Sequence, residues 1–186
     1  MLSISCGARP CGCTSDLGMD DNIGTGVPRN FSEAIKWFQL AAQQGHPGAQ
    51  NNLGVLYRQG RGNRNNTKHA AEWFQKAADQ GVAPAQYALG QMYLNGEGVE
   101  QSTEKAVELY TDAAKQGLLE AQADLGYLYT SREKKVSRDF IIASKWLSLA
   151  VQNGDRIAKT DLAKLVATMT NDQIEEAKKL AQKESS

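Results

Sequence analysis

The sequence predicts an all-α fold: an α/α superhelical solenoid of about four 36-residue helix-turn-helix repeats, closed by a C-terminal capping helix. Three observations carry this expectation. The segment AQYALGQMY (Ala85 to Tyr93) recurs 36 residues earlier as AQNNLGVLY (Ala49 to Tyr57) and 36 residues later as AQADLGYLY (Ala121 to Tyr129). A second segment recurs in step with the first, as FSEAIKWFQLAAQQG, TKHAAEWFQKAADQG, TEKAVELYTDAAKQG and FIIASKWLSLAVQNG. Its last step is 37 residues, one residue being inserted before Asp139. Helix start and stop signals then fall in the same register. Asn30, Asn66, Ser102 and Asp139 precede the second segment as N-caps, and Gly45, Gly81, Gly117 and Gly154 follow it as left-handed stops.

Each element follows in chain order. Residues 1–12 hold Gly, Pro, Ser and two of the three cysteines without periodicity, and read as a disordered leader. Residues 13–45 form a degenerate first repeat. Leu17-Gly18 keeps the register, but Cys13 replaces Ala and Asp21 replaces Tyr, which puts charge on the face meant for burial. Repeats then span 46–81, 82–117 and 118–154, with a terminal half-repeat and capping helix over 155–184.

In the second segment apolar residues recur at helical spacing, as at Ala34, Trp37, Phe38 and Ala41. In the first, Ala49 and Gly54 let a neighbouring helix approach closely while Leu53 and Tyr57 fill the gap. Gly within a helix costs about 1 kcal/mol against Ala, so its return at 54, 90 and 126 demands a packing reason. The fifth copy keeps Ala158 and Leu162 but carries Ala163 and Val166 in place of Gly and Tyr. The last helix opens with Thr170 and Gln173 at capping-box spacing. It lays Ile174, Ala177, Leu180 and Ala181 on one face and pairs Glu175 with Lys179 on the other, as cover for the last open face of the stack.

Charge and composition narrow the function. Lys plus Arg and Asp plus Glu are both 21, so no net field draws the chain to nucleic acid or to an anionic membrane. The basic clusters Arg58, Arg61, Arg64 and Arg132, Lys134, Lys135, Arg138 lack interleaved aromatics and read as solvated loops. No apolar run is long enough to span a bilayer, and the N-terminus lacks the pattern of a secretory signal. At face value the chain is cytoplasmic; it is exported if its true N-terminus is missing.

No cofactor is called for. Cys6, Cys11 and Cys13 have no fourth ligand nearby to complete a zinc site, and an odd count does not close a disulfide framework. The pairs Gly24-x-Gly26, Gly60-x-Gly62 and Gly96-x-Gly98 follow no strand and read as repeat turns rather than phosphate loops. His46 and His69 occupy places that other units fill with Val82, Leu118, Lys105 and Ile142, and no nucleophile stands in register with either. No catalytic residue is expected, and the chain is not expected to be an enzyme.

The succession AQxxLGxxY, G-x-G and A-x-x-W-F/Y-x-x-A-A-x-Q-G resembles the SEL-like repeat family, a relative of the tetratricopeptide repeat, from about Leu17 to Leu180. The resemblance implies an α/α solenoid acting as an adaptor, chaperone-type scaffold or host- and receptor-binding protein, many of them bacterial. One branch of the family carries a disulfide in every unit. These repeats contain no cysteine, so that branch does not transfer. The fourth unit also departs at its turn, with Arg132 and Lys134 where glycines belong.

By the tetratricopeptide analogy the Leu-Gly helices line the concave side, and residues flanking Leu-Gly are left for binding. These are Asn51, Asn52, Val55 and Arg58; then Tyr87, Gln91 and Leu94; then Asp124, Tyr127 and Thr130. Ala88 and Ala123 share those helix faces, and Tyr87 and Tyr127 are the aromatics expected to be exposed there. The function expected is non-enzymatic binding of a peptide or protein segment in this groove. The alternative is a structural piece of a longer or homotypically stacked array, joined through Trp37, Phe38 and Ala41 at the N-terminal edge.

Overall fold

The computed structural model describes residues 31–60, 66–131 and 139–184. These form nine α-helices with no strand among them. They are α1 (Phe31–Gln43), α2 (Pro47–Gln59), α3 (Thr67–Asp79), α4 (Ala83–Asn95), α5 (Thr103–Lys115), α6 (Leu119–Thr130), α7 (Phe140–Gln152), α8 (Arg156–Val166) and α9 (Asn171–Glu184). The expected leader, the Leu17-Gly18 helix, the Asn30 cap, the three cysteines, Arg61, Arg64 and the basic turn over 132–138 lie outside the described residues.

Local chemistry sets the helix ends. Asn66 Oδ1 accepts from the His69 amide at 3.1 Å, Ser102 Oγ from Lys105 at 3.3 Å, and Asp139 Oδ1 from Ile141 and Ile142 at 2.9 and 3.0 Å. Each side chain satisfies a donor that the first turn of a helix leaves open. Gly45, Gly81, Gly117 and Gly154 all take positive φ just past their helices. Thr170 and Gln173 close a reciprocal capping box, side chain to backbone in both directions, at 3.0 and 3.3 Å. On the exposed side of α9 the carboxylate of Glu175 meets Lys178 at 3.4 Å, one place earlier than the expected Lys179. His46 also has a structural role: its Nδ1 accepts from the Ala49 amide at 3.2 Å and caps α2.

Each helix from α1 to α7 packs on the next, and α9 turns back onto α7. The cover expected for the last open face therefore lies over the outer side of α7. Ile157 of α8 is left 72% exposed. Apolar residues gather into clusters that interlock along the stack. The first runs from α1 to α4 and takes in Leu109 of α5, while the second joins α5, α6, α7 and α9 and takes in Tyr87 of α4.

Glycine in the Leu-Gly helices sets the spacing. A Cβ at Gly54 would lie 2.8 Å from the Phe74 ring, at Gly90 2.6 Å from the Tyr110 ring, and at Gly126 2.5 Å from Leu147 Cγ. Side-chain carbons do not approach so closely, so only glycine lets the following helix seat its knob against the backbone. Leu53, Leu89 and Leu125, immediately before those glycines, are at most 1% exposed.

A ladder of side-chain amides runs beside this packing. Gln50, Gln86 and Gln122 are buried, and each donates through Nε2 to the carbonyl eight residues earlier: Ala42 at 3.2 Å, Ala78 at 3.5 Å and Ala114 at 3.0 Å. Each Oε1 accepts from the turn one period later, from Gln80 at 2.7 Å, Gln116 at 2.8 Å and Asn153 at 2.8 Å. Every rung thus ties one helix-helix turn to the next. In α8 the corresponding place is the exposed Lys159, where the ladder stops.

Two outcomes follow for stability. Gly90→Ala is expected to lower the free energy of unfolding in urea by about 1–3 kcal/mol, because the clash with Tyr110 outweighs the ~1 kcal/mol gained in helix propensity. A gain in stability would show that the ring yields freely. Gln122→Leu leaves the Asn153 amide and the Ala114 carbonyl without their rung partner and is expected to cost about 1–3 kcal/mol. The same urea titration checks it, with Lys159→Leu as the control expected to change little.

Candidate protein-binding surface

The ten residues expected at the groove are all half-buried, on α2, α4 and α6. Ala123, which shares that face in sequence, is instead a buried core residue at 6% exposure. Val55 packs against the first apolar cluster. Asn51 and Asn52 line neither of the recesses described below.

From Arg58 onward the residues are joined across helices. Arg58, expected in a solvated basic loop, reaches from α2 to donate through Nε to Glu97 Oε2 and through Nη1 to Gln91 Oε1, both at 3.1 Å. Such a part-exposed ion pair is worth little energy, ~0–1 kcal/mol, but it fixes where the guanidinium lies. Tyr87, expected as an exposed aromatic, tilts its ring against Tyr110 at 5.2 Å and donates its hydroxyl to Asp124 Oδ2 at 2.8 Å. Burial first, and then the Asp124 carboxylate, push the Tyr87 phenol well above its ordinary value.

Two recesses flank Tyr127. One, of about 220 Å³, is lined by Leu94, Tyr110, Asp124, Tyr127, Leu128 and Ser131, between α4 and α6. The other, of about 430 Å³, lies between α6 and α8, with Thr130, Phe140 and Leu147 on one side and Asp161, Lys164 and Leu165 on the other. Burial, followed by a hydrogen bond to Asp161, raises the Tyr127 phenol to about 12. Lys164, 3.0 Å from Asp161, and then the Tyr127 hydroxyl hold that carboxyl below its usual range. The lining of both recesses is mixed, with apolar side chains beside Asp124 and Ser131 in the smaller and beside Asp161 and Lys164 in the larger.

Several contributors were not singled out from sequence. Tyr110 sits at a periodic aromatic place and reads as core, which it is at 1% exposure, yet it also lines the smaller recess. Asp161 and Lys164 belong to the degenerate fifth copy, where only their i,i+3 spacing marks them. His69 stacks on Tyr57 with ring centroids 5.7 Å apart. Among the described residues no group of three or more His, Cys, Asp or Glu could hold a metal ion, and no described helix is long and apolar enough to cross a membrane. Of the edge residues, Phe38 is buried and Ala41 packs on the first cluster, leaving Trp37 exposed together with Leu40.

Comparison with known proteins completes this description. The Sel1 repeat model matches residues 16–46, 47–82, 83–118 and 119–155. No curated protein matches the chain. Among solved structures, a protective antigen present in uropathogenic Escherichia coli strains and displaying an SLR fold is similar at 32% identity and a TM-score of 0.74, over 88% of this chain. A Sel1 repeat protein from Oxalobacter formigenes is similar at 33% identity and a TM-score of 0.65, over 71% of this chain. The chain spans 36% of the length of the first and 52% of the second. Sel1 repeat proteins generally mediate protein–protein interaction and are typically non-catalytic.

The raised phenols make stability depend on alkaline pH. A folded state that holds a phenolic proton more tightly than the unfolded chain gains stability that is complete below tyrosine's ordinary value of 10.0 and is lost as pH rises through the folded value, about 12 for Tyr127. The urea midpoint is expected to fall as pH rises above 10.0, and to fall less steeply in Tyr127→Phe than in the wild type. Equal slopes for the two proteins would show that Tyr127 titrates as it does in the unfolded chain.

Proposed function

The chain belongs to the Sel1 repeat family, and on that premise we propose that it is a non-enzymatic adaptor whose α4–α6–α8 surface binds a segment of a partner protein. The observation that carries this reading is the pair of recesses on either side of Tyr127. An extended or helical segment crossing α6 seats one apolar side chain in each recess. Its polar groups then meet Asp124, Asp161 and Lys164 at the rims.

Energetics favour the Tyr127 end over the Arg58 end. Polar groups at both ends are already bonded, Arg58 to Gln91 and Tyr87 to Asp124 as Lys164 to Asp161, so it is the apolar lining that distinguishes the Tyr127 end. Around Tyr127 the recesses offer apolar lining from Leu94, Leu128, Phe140 and Leu147. Apolar burial drives most association, and tyrosine is a residue type over-represented at energetic hot spots. Asn51 and Asn52, on α2, lie outside this surface and are expected to contribute little to affinity.

Selection of a displayed random-peptide library on the folded chain tests the reading. The expected result is a family of peptides with two apolar side chains at fixed separation. Their affinity should drop roughly tenfold or more, ~1.4 kcal/mol, in Tyr127→Ala and much less in Asn51→Ala. Recovery of no peptide, or of peptides indifferent to Tyr127, would count against this surface.

A further inference from the structure

Four helices occupy equivalent places in the repeat, and two of them share an outward signature. In register they read Lys36-Trp37-Phe38-Gln39-Leu40 in α1, Glu72-Trp73-Phe74-Gln75-Lys76 in α3, Glu108-Leu109-Tyr110-Thr111-Asp112 in α5 and Lys145-Trp146-Leu147-Ser148-Leu149 in α7. Only α1 and α7 combine Lys at the first place, Trp at the second and Leu at the fifth. The inner helices put an acid at the first place and Lys or Asp at the fifth.

In α7 that signature is covered by α9. Trp146 and Leu149 are 3% and 6% exposed and share a cluster with Ala181. Lys145 Nζ lies over the Trp146 ring at 4.3 Å and bonds Glu184 Oε1 at 2.6 Å. Ala177, one turn before Ala181, is also buried, so α9 buries two small residues, one of them in the tryptophan's cluster, and turns a carboxylate to the lysine.

Among the described residues nothing covers the same face of α1, with Trp37 68% and Leu40 51% exposed. Stacking of a preceding repeat does not account for a leucine at the fifth place. α3 and α5 each have a full unit before them, and their fifth-place residues, Lys76 and Asp112, are exposed and charged. The place is buried only where a helix crosses the outer side, as α9 crosses α7.

We propose that the outer face of α1 is a second docking site, distinct from the α4–α6–α8 surface, for an amphipathic helix donated by another protein. That helix carries two small residues one turn apart and an acidic residue three positions on, the pattern of Ala177, Ala181 and Glu184, and its acid pairs with Lys36. A second copy of this chain is a poor donor, because its α9 already has its small residues buried against its own α7.

The test uses the full chain and a fluorescent peptide of residues 170–184, held helical by a lactam between the outward-facing Glu175 and Lys179 side chains. The native α9 blocks the equivalent face on α7 by intramolecular competition, which leaves α1 open to the probe. Saturable 1:1 binding is expected, weakened at least tenfold by Leu40→Lys, a substitution that installs the residue α3 itself carries. Lys36→Glu should weaken binding as well, and Glu184→Lys in the peptide should restore part of the loss. The circular dichroism of each variant should match the wild type. Absence of binding overturns the proposal, as does binding unchanged by Leu40→Lys. A dimer of the chain alone that Leu40→Lys dissolves also overturns it, by assigning the face to a second copy.

Discussion

The structure depends on a missing carbon. At Gly54, Gly90 and Gly126 the absence of a side chain lets Phe74, Tyr110 and Leu147 rest directly on the backbone of the preceding helix. That contact fixes the distance between successive units and drives the neighbouring leucines to full burial. It also shapes the candidate binding surface. The ring that fills the space over Gly90 supports Tyr87 from one side and floors a recess from the other. One side chain therefore serves the packing of the units and the shape of the surface above them.

Electrostatics on this surface hold positions more than they contribute energy. Arg58 with Glu97 and Gln91, Tyr87 with Asp124, and Asp161 with Lys164 each link or orient groups that face solvent. In a part-exposed setting such pairs return about what they cost in desolvation and lost rotamer freedom. Their effect is to hold the side chains of the candidate surface in fixed positions. The chain has equal numbers of acidic and basic residues, and its bonded pairs spread both signs over the surface.

Sequence periodicity made the architecture legible because a repeat states the same packing problem several times. Helix type, caps at Asn66, Ser102 and Asp139, and the reason for glycine at 54, 90 and 126 all follow from recurrence plus local chemistry. Less could be read about where half-buried side chains find their partners. Arg58 looked like a loop cation because its acceptors lie 33 and 39 residues away, across a helix boundary. Tyr87 looked exposed because its acceptor, Asp124, belongs to the next unit. The recurring glutamines were visible as a pattern, yet their Oε1 partners lie 30 or 31 residues on, in the turn of the next unit, which no single unit contains. The place of His46 carries a side-chain cap in two units, through His46 and Asp155, but not at Val82 or Leu118, so recurrence alone gave the histidine no role. The reversal of α9 onto α7 rests on a short turn near Met169, and repeat logic favours continuation instead.

The amide ladder has a consequence for how such a molecule can change in length. Each rung spans one period and joins identical neighbours, so its geometry holds no information about how many units precede or follow it. A whole unit can be duplicated or deleted without altering the pattern of rungs in those that remain, whereas a cut within a unit strands a buried amide. Even the 37-residue step is absorbed, with the shorter Asn153 in place of glutamine still reaching Gln122 at 2.8 Å. Chain length in this architecture is therefore a digital quantity, and the two faces that differ from unit to unit are where one array becomes distinguishable from another.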